Sequence, residues 1–116
     1  YAPVFYHPHK RLADPSLDLI LEQMISEAGR DGIERQQRAF ASRPDSRATL
    51  AHINCPTLVV CGRDDMITPL ALSAEIASGI AGAQLVVIDN CGHVPMIECA
   101  AQSTAIIRRW LQQIDA

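Results

Sequence analysis

Several signals that would fix a function at once are missing from this sequence. No apolar run approaches the ~18 residues that a membrane-crossing helix needs, so no such span is expected. There is no Cys-x-x-Cys pair: Cys55, Cys61, Cys91 and Cys99 are spaced 6, 30 and 8 apart, which excludes zinc-ribbon and thioredoxin-type patterns. Nor is there an excess of Lys and Arg, since 10 basic and 13 acidic side chains leave a net charge of −3. A nucleic-acid surface needs clustered positive charge, so no nucleic-acid partner is expected. Internal repeats and low-complexity tracts are also absent. What remains is ordinary for a soluble protein: 116 residues, 48% hydrophobic and 20% charged, one domain's worth of chain or part of a larger one.

The chain is organised around residues 57–69. Leu58-Val59-Val60-Cys61 is a short apolar run that stops at Gly62, two acids follow at Asp64 and Asp65, and Thr68-Pro69 offers a helix start. A continuous apolar run of this length fits a strand buried on both faces, as in a parallel sheet covered by helices. The same grammar recurs downstream, where Leu85-Val86-Val87-Ile88 is followed by Asn90-Cys91-Gly92-His93. Strands are expected at 57–61 and 84–89, joined by a helix from Thr68-Pro69 that carries Leu72, Ile76 and Ile80 and ends near Gly82. A final helix is expected from about Pro95 or Ile97 to Ile114, with Ile107, Trp110, Leu111 and Ile114 on one side. This is an α/β pattern with a βαβ unit, and two of the cysteines sit in or beside its strands. A buried thiol behaves as a small hydrophobe. All four are therefore read as structural thiols of a reducing, cytoplasmic compartment.

Residues 1–13 show no periodicity and read as an irregular surface segment. His7 and His9 could form a metal pair, but no further ligand stands at suitable spacing. Asp14-Pro15 opens a helix whose stripe is Leu17, Ile20, Leu21, Met24, Ile25 and Ala28, expected to face a core and to close at Gly29. The polar side carries Asp18, Glu22 and Glu27, which argues against membrane docking. Asp31 and Glu34 read as a capping box for a second helix to about Ser42. Arg35, Gln36, Gln37 and Arg38 make most of that helix wet, which suits a lid. A short helix holding Leu50 and Ile53 then leads to Cys55-Pro56.

Asp65 and His93 stand 28 positions apart, each just past a strand end. Reacting groups in parallel sheets sit at the carboxyl ends of the strands. A histidine acting as general base needs a fixed tautomer and an anion to stabilise its imidazolium, and a carboxylate on the neighbouring loop supplies both. Singly, the acid could be a helix cap and the histidine a surface residue. Their joint placement points to an acid–base pair, with Asp64 as the rival acid.

Gly62-Arg63-Asp64-Asp65-Met66-Ile67-Thr68-Pro69 and Gly92-His93-Val94-Pro95-Met96-Ile97-Glu98 resemble the C-terminal part of the α/β-hydrolase family, as does the approach through Cys55-Pro56-Thr57. The family carries its acid as G-x-x-D after the penultimate strand and its base in a G-H loop after the last. The resemblance implies Asp65 as triad acid and His93 as triad base. It implies residues 1–52 as a helical cap and 53–116 as the C-terminal part of the hydrolase core. It also implies a small-molecule ester, lactone or related acyl substrate, and no cofactor. The family's G-x-S-x-G elbow is absent. Ser16, Ser26, Ser42 and Ser46 lie in or beside expected helices, and the oxyanion-hole segment is missing too. The chain is therefore expected to be a C-terminal portion, inactive alone, whose nucleophile (Ser, Asp or Cys) lies elsewhere. Two parallel strands make no self-sufficient sheet, so a homo-oligomer or a complex with the missing N-terminal half is expected. The alternative is a non-catalytic oligomerisation or partner-binding module derived from that fold.

Overall fold

In the computed structural model, which describes residues 2–115, the chain runs α1 (Ala2–Phe5), α2 (Pro8–Ala13), α3 (Ser16–Ser42), a 3-10 helix (Arg47–His52), β1 (Leu58–Gly62), α4 (Leu70–Gly79), β2 (Gln84–Ile88), α5 (Pro95–Glu98) and α6 (Ala100–Ile114). Both apolar runs form strands, and they pair in parallel from Leu58 opposite Gln84 to Gly62 opposite Ile88. The register puts the two carboxyl ends side by side, which aims both exit loops at one edge. α4 joins the strands and packs against each of them.

The boundaries differ from expectation where local chemistry decides. Pro69 is the residue before α4 rather than its first, and α4 stops at Gly79, leaving Gly82 (φ 74°) in the turn to β2. The final helix is broken at Cys99 (φ −132°, ψ 52°), whose amide still reaches the Pro95 carbonyl at 2.8 Å. Asp14 accepts the Ser16 amide at 3.0 Å, so it serves the start of α3 from one residue further back than expected. The long α3 is interrupted only at Gly29 (φ 70°, ψ 167°), where the sequence places the end of the first amphipathic helix. Helix resumes at once, with Asp31 inside it. Glu34 pairs forward with Arg38 at 2.6 Å, so an i,i+4 ion pair replaces the expected capping box.

The larger correction concerns residues 1–13, which are helical rather than irregular over their described part and contribute to a core. Pro8 sits in the first turn of α2, where its missing N–H costs no hydrogen bond. Tyr6 is buried with Leu17 and Leu21, flanked by Phe5, Val94 and Ile97, and its hydroxyl donates to the Leu17 carbonyl at 2.7 Å. A second cluster joins Ile88, Cys91 and Cys99, with Val60 and Ile106 against it. The α3 stripe is only partly used. Leu17 and Leu21 are buried, whereas Ile20, Met24 and Ile25 are 37%, 49% and 37% exposed. All four cysteines are free, with Cys61, Cys91 and Cys99 buried and Cys55 exposed. Burial, followed by contact with Cys99, pushes the Cys91 thiol far above its ordinary value. Among the described residues no helix is long and apolar enough to cross a membrane.

Candidate active site

Strand pairing does not stop at the strand ends. The Arg63 amide donates to the Ile88 carbonyl and the Asp64 amide to the Cys91 carbonyl, both at 2.9 Å. The loop leaving β1 is thereby zipped to the loop leaving β2. Gly62 permits this contact: a Cβ there would lie 2.1 Å from the Gly92 oxygen and 2.5 Å from the Cys91 oxygen. Only glycine allows so close a backbone approach.

Past this junction Asp65 and His93 meet. Both carboxylate oxygens of Asp65 lie 3.1 Å from His93 Nδ1, and the Asp65 side chain is only 6% exposed. Oδ1 also accepts the amides of Ile67 and Thr68 at 2.9 Å each, and Oδ2 accepts the Thr68 hydroxyl at 3.0 Å. Burial pushes this carboxyl up. The hydrogen bonds from the Thr68 amide, His93, the Ile67 amide and the Thr68 hydroxyl outweigh it and hold the group below its ordinary value. Asp65 is therefore an ionised acceptor fixed from several sides, which favours the His93 tautomer with hydrogen on Nδ1 and a lone pair on Nε2. The His93 amide donates to the Phe5 carbonyl at 2.8 Å, and the two rings meet edge to face with centroids 5.4 Å apart.

Asp64 points elsewhere. Its carboxylate lies 3.4 Å from His7 Nε2, while His7 Nδ1 accepts the His9 amide at 3.2 Å. His7 and His9 thus belong to the contacts of the N-terminal segment, and the described residues contain no cluster of three or more metal-ligating side chains.

One residue of the site escapes sequence reasoning. Glu98 is buried, and its carboxylate accepts three backbone amides: His7 at 2.7 Å and Gly92 at 3.0 Å on Oε1, and Val94 at 3.1 Å on Oε2. The residues on both sides of His93 are pinned to one carboxylate, which also holds the N-terminal segment against them. Gly92 has no room for a side chain because a Cβ would lie 2.8 Å from the His7 nitrogen. Sequence shows Glu98 only as the last letter of a motif, since its partners are amides rather than side chains. Glu98→Ala leaves these donors without an acceptor in a buried place and is expected to cost about 2–3 kcal/mol or more. Urea denaturation checks this, and Glu98→Gln, which retains one acceptor oxygen, should cost less.

His93 borders two cavities. One of about 230 Å³ is lined by Gly62, Asp65, Thr68, Met96 and others. The second, about 690 Å³, opens between α3 and the β1–α4 loop and is lined largely by apolar side chains such as Phe5, Leu21, Ile25, Phe40 and Ile67. Ser73 and Ser103 line the smaller cavity, but the Ser103 hydroxyl donates to the Pro95 carbonyl at 2.9 Å. Among the described residues no serine hydroxyl hydrogen-bonds His93. The arrangement can orient and activate a proton acceptor beside an apolar cavity.

The sequence matches the model of a family described as "Alpha/beta hydrolase family" over residues 2–105. It is 33% identical over 94 residues to a 2-hydroxy-6-oxononadienedioate/2-hydroxy-6-oxononatrienedioate hydrolase of Cupriavidus pinatubonensis, an alignment covering 78% of this chain and 32% of that protein. It is 37% identical over 81 residues to a 2-hydroxymuconate semialdehyde hydrolase of a Pseudomonas strain, covering 70% of this chain and 29% of that one. Among solved structures, a thermophilic esterase from Thermogutta terrifontis with malate bound superposes with a TM-score of 0.92 at 32% identity, over 98% of this chain and 42% of that one. The chain spans about a third of the length of these curated relatives.

Proposed function

The chain belongs to the alpha/beta hydrolase family, and on that premise we propose that it carries the acid and the base, Asp65 and His93, of a hydrolase acting on an ester, lactone or related acyl substrate. The observation that carries this reading is the 3.1 Å contact of both Asp65 oxygens with His93 Nδ1. In this reading His93 Nε2 takes the proton of a nucleophile and returns it to the leaving group, and Asp65 orients the ring and stabilises its cationic form. The nucleophile, a Ser, Asp or Cys, comes from outside these 116 residues. Residues 1–52 serve as the lid and 53–116 as part of the core, a division supported by the larger cavity, which has α3 on one side and Ile67, Thr68 and His93 on the other. The relatives are hydrolases, and the similar structure is an esterase.

The working form has more sheet than β1 and β2. β1 has a strand on one side only in the two-stranded sheet of the described residues. Ile107 and Leu111 on α6 are each 45% exposed, and Leu72 and Ile76 on α4 are 48% and 43% exposed. Further strands from the same protein, or a second copy of this chain, would cover them. The same exposed side chains favour the second reading, a partner-binding module without catalysis.

The two readings separate in an aryl-acetate assay combined with a fluorophosphonate label. The chain alone is expected to show no saturable hydrolysis and no label, because acid and base without nucleophile and oxyanion donors lack most of the rate-giving machinery. A polypeptide joining this chain to a nucleophile-bearing segment should hydrolyse the ester and lose that activity with His93→Ala. Saturable hydrolysis by the chain alone, abolished by His93→Ala, would contradict an external nucleophile. An intact polypeptide indifferent to His93→Ala would favour the non-catalytic reading.

A further inference from the structure

The larger cavity beside His93 is lined by apolar side chains from α1, α3 and the β1–α4 loop, with Gln36, Gln37 and Arg43 as its polar lining apart from Thr68 and His93. Among the described residues Arg43 is the only Lys or Arg of this lining. Arg11, Arg38, Arg47 and Arg63 are held in ion pairs, with Asp18, Glu34, Asp45 and Asp89 respectively, whereas Lys10, Arg30, Arg35, Arg108 and Arg109 line neither cavity. Among the described residues Arg43 pairs with no carboxylate; its guanidinium lies over the Phe40 ring, 5.7 Å from the centroid. A guanidinium placed over an aromatic face keeps N–H donors for an anion. A cation on an apolar wall, paired by no acid, is how a pocket selects a carboxylate.

We infer that Arg43 is the anion-binding residue of this cavity, and that the acyl substrate carries a carboxylate away from its scissile bond. The inference rests on the reading of His93 as the base, and charge placement agrees with it. Asp65, held in its ionised form against His93 Nδ1, repels a second carboxylate from that wall. The anionic end of the substrate is therefore directed to Arg43, leaving the neutral carbonyl for His93 and the nucleophile. Gln36 and Gln37, near the C-terminal end of α3, offer amide donors on the same cavity wall.

The test uses the 116-residue chain and two small probes, hexanoate and hexanamide, which differ in charge and share a tail. Binding is followed by chemical-shift changes of the Phe40, Phe5 and His93 rings. Hexanoate is expected to bind roughly tenfold more tightly than hexanamide, the advantage of one exposed charge-assisted contact. Arg43→Gln should bring the two within about twofold of each other, whereas Arg109→Gln, on α6 and lining neither cavity, should leave the ratio unchanged. Equal affinities in the unaltered chain, a preference that survives Arg43→Gln, or no saturable shift with either probe would each overturn the inference. None of these outcomes touches the Asp65–His93 contact. Conversely, loss of His93 as base in the hydrolysis assay would leave an Arg43-dependent hexanoate preference standing as binding alone.

Discussion

Gly62→Ala is expected to destabilise the chain by more than about 4 kcal/mol, in the range reserved for gross steric conflict. The added Cβ would sit 2.1 Å from the Gly92 oxygen and 2.5 Å from the Cys91 oxygen. These are backbone atoms, so no side-chain rotation relieves the clash, and the β1 and β2 exit loops must part. Parting breaks the bonds from the Arg63 amide to Ile88 and from the Asp64 amide to Cys91, and it separates Asp65 from His93. Gly82→Ala is the informative comparison. Gly82 has φ 74° and a Cβ added there meets nothing within 4 Å, so only backbone strain applies, about 1–2 kcal/mol. Urea melts of the two variants should therefore differ, with Gly62→Ala lacking a cooperative transition. A near-normal melt for Gly62→Ala would mean that the two loops do not touch.

On the proposed acid–base reading, Asp65→Asn in a polypeptide that joins this chain to a nucleophile-bearing segment is expected to lower kcat by about 10⁴-fold with little change in KM. An asparagine can keep the Ile67 and Thr68 amides satisfied with its oxygen, since Oδ1 accepts both. Its NH2 then faces His93 Nδ1, which must become the acceptor. The ring hydrogen moves to Nε2, and no lone pair is left for the nucleophile's proton. Asp64→Asn should change kcat by less than about tenfold, because Asp64 faces His7 rather than His93. Equal losses from the two substitutions would refute Asp65 as the orienting acid.

Residues 53–116 are legible in the sequence because their signals are local. The apolar runs at 58–61 and 85–88, the glycines that end or follow them and Thr68-Pro69 set the strands, the crossover helix and the loop that carries Asp65. Asp65 and His93 can be singled out because strand ends in a parallel pair lie together. The N-terminal segment is illegible for the opposite reason. α1 and α2 are too short to show periodicity, and Tyr6 is buried through contacts with Leu17 and Leu21 rather than by any pattern of its own. Glu98 is invisible as a positioning residue because it binds amides as far as 91 positions away. The α3 stripe reads as a core face over its whole length, yet Met24 and Ile25 border open space in this chain. An amphipathic pattern marks the side chains that one face of a helix shares, not how deeply each is buried.

Asp65 is expected to hold His93 with hydrogen on Nδ1, leaving Nε2 as the proton acceptor. Nitrogen-15 NMR of the imidazole, recorded on this chain at a pH where the ring is neutral, reads that tautomer directly. The predicted result is a protonated Nδ1 coupled to a downfield hydrogen-bonded proton and an unprotonated Nε2, with the two assignments exchanged in Asp65→Asn. A ring protonated on Nε2 in the unaltered chain, or one whose tautomer ignores Asp65→Asn, would mean that Asp65 does not orient His93.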